Sequence, residues 1–176
     1  MKSAFAGFLT LTLALASTAM ASESVVRWND IVGVITALNV DNPVADISSG
    51  TFAWAAQGGH ARVNLSSGQT SFEVDGLNIN GTAFSGTPGP VTQVEGTLVC
   101  NAGTAQEAVL DTAPVNLSSR GDAEFSGVVS GIPDSCENPL FLIRIVNPNG
   151  ALGRWIATGA DRTLSTIRSR SGAGDR

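Results

Sequence analysis

His60 is the only histidine of the chain, and the alternation of TFAWAAQGGHARVNLSSGQTSFEVDGL, residues 51–77, sets Asp75 across from it. A histidine oriented by a carboxylate can act as general base towards a serine, and serines are plentiful here. The nucleophile-elbow pattern G-x-S-x-G is missing, so His60 and Asp75 read more simply as a polar anchor on the outer face of a hairpin. Glu73 with Asp75, and Asp122 with Glu124, are acids two apart on expected strands and therefore share a face. Paired carboxylates of this kind serve glycoside hydrolysis only at a set separation in a cleft, which spacing along a strand does not supply. One histidine and two cysteines leave too few soft ligands for zinc, so no metal site is expected from them. Calcium is the one cofactor with any footing, through oxygen-rich loops NVDNPVAD at 39–46 and DGLNINGT at 75–82, neither with EF-hand spacing.

Cys100 and Cys136 have neither a C-x-x-C spacing nor a nearby histidine, so a disulfide is the expected use. That requires an oxidising compartment, and the N-terminus supplies an address. MKSAFAGFLTLTLALASTAMASES has one lysine, an apolar run from Ala4 to Ala16 and the small-residue pattern Ala19-Met20-Ala21. It reads as a secretory signal peptide over residues 1–21, too short in its apolar run to span a bilayer, which takes roughly 20 residues. No transmembrane segment is expected after its removal, and a secreted or periplasmic location follows. The remainder reads as one domain over 22–162 and a flexible basic tail over 163–176. Without residues 1–21 the only lysine is gone, and nine arginines stand against fifteen acids, a net charge of −6. Such a surface repels phosphate backbones and argues against nucleic acid as a partner.

The elements that must position these residues are strands. VNLSS occurs at 63–67 and again at 115–119, each copy followed by a glycine and then a phenylalanine. Around the first copy, Gly58-Gly59 predicts a two-residue hairpin loop that brings Phe52, Trp54, Ala56, Ala61, Val63 and Leu65 onto one face. Ser67-Gly68 predicts a second such loop, with Leu65 facing Thr70, Val63 facing Phe72, Ala61 facing Val74, Arg62 facing Glu73 and His60 facing Asp75. In the second copy the extra Arg120 is absorbed by a three-residue loop, 119–121, with Gly121 at the left-handed position and Val115 facing Phe125. The buried set is the same in both copies, which points to an internal duplication.

Further strands are expected near 31–38, 91–100, 106–112, 139–146 and 154–159, with a short helical turn near 161–167. FLIRIV at 141–146 is nearly continuous in apolar side chains and should be a central strand covered on both sides. Arg144 interrupts it. A buried guanidinium needs a carboxylate or carbonyls, so Arg144 is either half of a structural ion pair or a ligand anchor. Many short strands joined by tight turns predict an all-β fold, an antiparallel barrel built from sequential hairpins, with a two-sheet β-sandwich as the alternative. The strings GTLVC, FLIRI and RWIATGA resemble those of uncharacterised secreted bacterial proteins over the second half of the chain. That resemblance implies export and an all-β fold and carries no chemistry.

Three functional expectations follow. The first is a secreted, non-enzymatic β-domain acting by surface contact on an extracellular protein or surface component, as an adhesion, matrix or inhibitory module. The second is a carrier whose barrel interior holds a small apolar ligand against Phe52, Trp54, Phe72 and Phe125, which otherwise are plain core. The third is a hydrolase or isomerase using His60 or an acid pair.

Overall fold

The computed structural model describes residues 22–37 and 40–168, and the expected signal peptide and residues 169–176 lie outside them. The protein is all-β. Its strands are β1 (Ser22–Gly33), β2 (Ala53–Ala55), β3 (Gly58–Asn64), β4 (Gln69–Asp75), β5 (Asn78–Asn80), β6 (Gln93–Cys100), β7 (Ala108–Asp111), β8 (Val115–Asn116), β9 (Ala123–Val128), β10 (Leu140–Val146) and β11 (Leu152–Arg168). Nine of them form one antiparallel, strongly curled sheet, a half-barrel in the order β7-β6-β10-β11-β1-β3-β4-β9, with β8 also paired to β6. The other two, β2 and β5, pair with each other, and the Trp54 N–H of β2 donates to the Val34 carbonyl at 2.8 Å.

Directly opposite residues share a face, and their order builds the interior. Trp28 faces Ala61, Ala61 faces Phe72, and Phe72 faces Phe125, a row that crosses β1, β3, β4 and β9. From the other arm of the curl, Phe141 reaches into the hollow, its ring centroid 5.5 Å from Trp28 and 5.7 Å from Phe72. Phe72 and Phe125 stack at 5.8 Å. Gly96 makes the room for this cluster, because a Cβ there would lie 2.5 Å from Phe141 Cζ and 3.0 Å from Phe72.

Several joins are sequential hairpins, β3–β4, β6–β7 and β10–β11, but the sheet is completed by pairs distant in sequence. β1 pairs with β11 along almost its whole length, and β4 with β9, β6 with β10. As expected, β10 is central, with Phe141, Leu142 and Ile143 fully buried. The segment expected as a helical turn near 161–167 is strand instead, since β11 continues to Arg168 against Ser22. The domain therefore takes in residues 163–168 of the expected tail.

Gly58-Gly59 is not a hairpin loop. These glycines open β3, Gly58 opposite Asp75 and Gly59 opposite Val74, while Ala53–Ala55 pairs with Asn78–Asn80. Gly59 has φ +146, and a Cβ on it would fall 2.4 Å from the Glu73 carbonyl, so glycine is needed for strand approach. The β3–β4 register also differs from the expected one, by two residues: Val63 faces Thr70 and Ala61 faces Phe72, across a loop at 65–68. The cause is Asn64, whose Oδ1 accepts from the Ser66 and Ser67 amides at 3.1 and 3.2 Å and from the Ser66 hydroxyl at 2.7 Å. This Asx turn winds up more chain than a two-residue loop could. An even slip keeps every side chain on its face, so Ala61, Val63, Phe72 and Val74 are buried as expected, while Leu65 is half-buried and Phe52 exposed.

The second VNLSS makes the expected turn and then departs from it. Ser118 N–H donates to the Asp122 carbonyl at 2.9 Å around 119–121, and Gly121 has φ +89, but Val115 pairs with Val94 of β6 and not with Phe125. The first copy thus closes a hairpin, whereas the second carries the chain from one sheet edge to the other.

Adding one methyl at the floor of the ring cluster, Gly96→Ala, should destabilise the protein by about 1–3 kcal/mol, because the interior cannot give way around Phe141. Denaturant unfolding checks this, and Phe141→Leu in the same chain should recover part of the loss.

Candidate binding groove at the disulfide loop

Residues 130–139 cross from β9 to β10, and three ties hold them. The Cys100–Cys136 disulfide has Cα atoms 4.8 Å apart and closes 36 residues of chain, worth roughly 3–4 kcal/mol in a chain-entropy account. Next to it, Asn101 donates its N–H to the Glu137 carbonyl at 3.2 Å and accepts the Glu137 N–H on Oδ1 at 2.7 Å. Its Nδ2 donates to the Ser135 carbonyl at 2.8 Å and to the Gln106 carbonyl at 3.2 Å, so one side chain ties the 101–107 turn to the loop. Asn101 sits at φ +55, a left-handed conformation that asparagine tolerates better than most residues. At the far end, Arg162 of β11 donates Nη1 to the Pro139 carbonyl at 2.8 Å and Nη2 to Asn138 Oδ1 at 3.5 Å.

Between this loop and β1 and β11 lies a cavity of about 790 Å³, within the range of small-ligand sites. Val26, Leu65, Ile132 and Leu164 give it apolar walls, and Arg162 with Asp134 and Glu137 its charges. Leu164 is 67% exposed, an uncovered leucine on a groove wall. A second cavity of about 500 Å³ lies on the loop's other side, lined by Asn101, Thr104, Gln106, Pro133 and Leu140. The loop is thus a tethered ridge between two concave surfaces.

The expected site residues are elsewhere. His60 faces Glu73, not Asp75, with Nδ1 3.8 Å from Glu73 Oε2 and both side chains about half exposed. Asp75 stands opposite Gly58 because the strand register is two residues from the one expected. Trp54, Phe72 and Phe125 are buried in the core, and Phe52 is 39% exposed outside it. Arg144, expected to need a carboxylate or carbonyls, has one of each: Nη1 lies 3.4 Å from Asp111 Oδ1, and Nε donates to the Gly153 carbonyl at 3.1 Å.

Other acids pin turns. Asp122 is held below the usual carboxylate range first by the Gly76 amide, 3.1 Å from Oδ1, and then by Ser118 and Arg120. Ser48 and then the Ser49 amide, 2.7 Å from Oδ1, hold Asp41 low. Among the described residues no three His, Cys, Asp or Glu side chains gather to hold a metal.

No family model, curated protein or solved structure matches the chain. Among the described residues no helix is long and apolar enough to cross a membrane. The groove escaped the sequence reading because its walls come from residues near 25, 65, 132 and 164, which only the fold gathers. Asn101, directly after Cys100, was the one local signal.

Asn101→Ala should loosen the ridge, costing about 1–2 kcal/mol through lost side-chain hydrogen bonds and a less tolerated φ. Asn101→Gly relieves the backbone part alone. Hydrogen exchange of the 133–138 amides should rise in both variants, and less in the glycine one.

Proposed function

We propose that the chain is a secreted β-domain that acts by surface contact, and that the contact is made in the groove beside the disulfide loop. One observation carries this reading: Phe72 and Phe125, two of the rings that a carrier would need free, stack on each other in the core with Phe141 against Phe72, while a concavity with both apolar and polar walls, one of them anchored, lies at the surface. The groove has apolar walls for a side chain, a guanidinium held in place by Pro139, and a cross-linked wall that needs little ordering when a partner arrives. Export fits the cross-link, which persists in an oxidising compartment. His60, half exposed opposite Glu73, offers no comparable enclosure for catalysis.

Selection of binding peptides against the immobilised protein tests the proposal, with Leu164→Asp as the discriminating variant. Peptides enriched on the parent should lose most of their binding on that variant, whose exposed position leaves folding intact. Trp28, Trp54 and Trp155 are all buried, so their emission should not shift when small apolar ligands are added. A saturable quench with such ligands, or peptide binding indifferent to Leu164, would overturn the groove in favour of the interior.

A further inference from the structure

Glu95 is a carboxyl where the sheet has no obvious place for one. It lies in β6, every residue of which from Val94 to Cys100 is buried, and only 5% of its own surface is exposed. Its Oε1 has no hydrogen-bond partner. Arg144 of β10 is its direct cross-strand neighbour, yet that guanidinium is 3.4 Å from Asp111 of β7. Asp111 Oδ1 is further fixed by the Thr97 hydroxyl at 2.6 Å. Two carboxyls thus flank one guanidinium, and only the outer one is paired. Among the elements packed on β6, the charged groups acting on Glu95 are Asp111 from β7 and Arg144 from β10, while β8 brings only Val115 and Asn116.

Asp111 belongs to a strand with little to hold it. β7 is four residues long and ends the sheet. It is separated from β8 by Thr112, Ala113 and Pro114, where the ladder gives way to Thr112 bonding both the Gly96 amide and carbonyl. We propose that Glu95 and Arg144 form a pH-sensitive latch: when Glu95 ionises, Arg144 turns from Asp111 to Glu95, and the edge strand β7 is released from β6.

The direction follows from the groups themselves. Burial first, and then the charge of Asp111, push the Glu95 pKa from 4.5 up to about 7, against the pull of Arg144. A carboxyl whose folded pKa is raised favours the closed form fully below its unfolded value and progressively less as pH rises towards and past 7. The latch is therefore shut in mild acid and loosened in mild alkali. The 101–107 turn leads directly into β7, so release also frees the side of that turn away from Asn101.

Hydrogen exchange of the intact chain, corrected for intrinsic rates, tests the latch. Between about pH 5.5 and about pH 8 the β7 amides should lose protection by roughly tenfold or more, while those of β10 hold. In Glu95→Gln, which mimics the protonated acid, that difference should vanish. Carboxyl-carbon NMR of the unsubstituted protein gives a second readout that needs no variant: Glu95 should titrate well above its ordinary value. In Asp111→Asn, where Glu95 has no charged competitor for Arg144 and no like charge beside it, it should move down by about one unit or more. The latch is wrong if Glu95 titrates as an ordinary glutamate, or if β7 shows the same pH dependence in Glu95→Gln.

Discussion

Inside the curl, four rings from distant parts of the chain meet: Trp28 and Phe72 from one arm, Phe125 beside them, and Phe141 from the other arm. The half-barrel depends on this contact. Backbone ladders hold each strand to its neighbours, and their stagger and the bulges of β10–β11 let the sheet curl; side chains meeting across the hollow fill and hold that curl. Phe141 can reach Phe72 only because residue 96 has no side chain. The bend in turn brings the β1–β11 pair near the disulfide loop, and the groove is the space left between them.

The molecule therefore has a packed interior and an anchored rim. Rim structure comes from cross-links that cost little chain: a disulfide, one asparagine bonded to both neighbouring turns, and one arginine holding the Pro139 carbonyl. Sheet edges are managed differently. Beyond Thr112 the edge strand shifts by one residue, and Pro114 removes a donor that another chain could pair with. The β7 edge also carries two carboxyls to one guanidinium, and in the proposed latch this short strand is the one that answers to proton concentration.

Some of this was legible in the residues. Alternation identified the core faces of β3, β4 and β9, and Ala61, Val63, Phe72 and Phe125 are buried although their register was not the one expected. The reason is parity: an error of two residues along a strand changes partners and leaves faces untouched. FLIRIV read as central and is, and Arg144, expected to need a carboxylate or carbonyls, has one of each. The glycine pair at 58–59 was misread because positive φ marks tight approach between strands as well as turns. His60 and Asp75 were separated by the same register error that left the apolar faces intact, since a polar pair depends on the exact partner. Glu95 was visible as a single acid in an apolar run, but its lack of a partner was not.

The sequence by itself determined the fold class, the buried faces of β3, β4 and β9 and which two cysteines were there to be joined, because these follow from period, turn chemistry and composition within a few residues; β1, expected near 31–38, runs over Ser22–Gly33. Only the tertiary structure decided which strand lies beside which. The two VNLSS copies make the point: identical residues turn the chain, yet one strand stays with its hairpin partner and the other pairs with β6. Strand pairing is settled by the shared interior that all the strands must enclose together. The groove, the Asn101 tie and the Glu95–Arg144–Asp111 set exist only once that enclosure has formed.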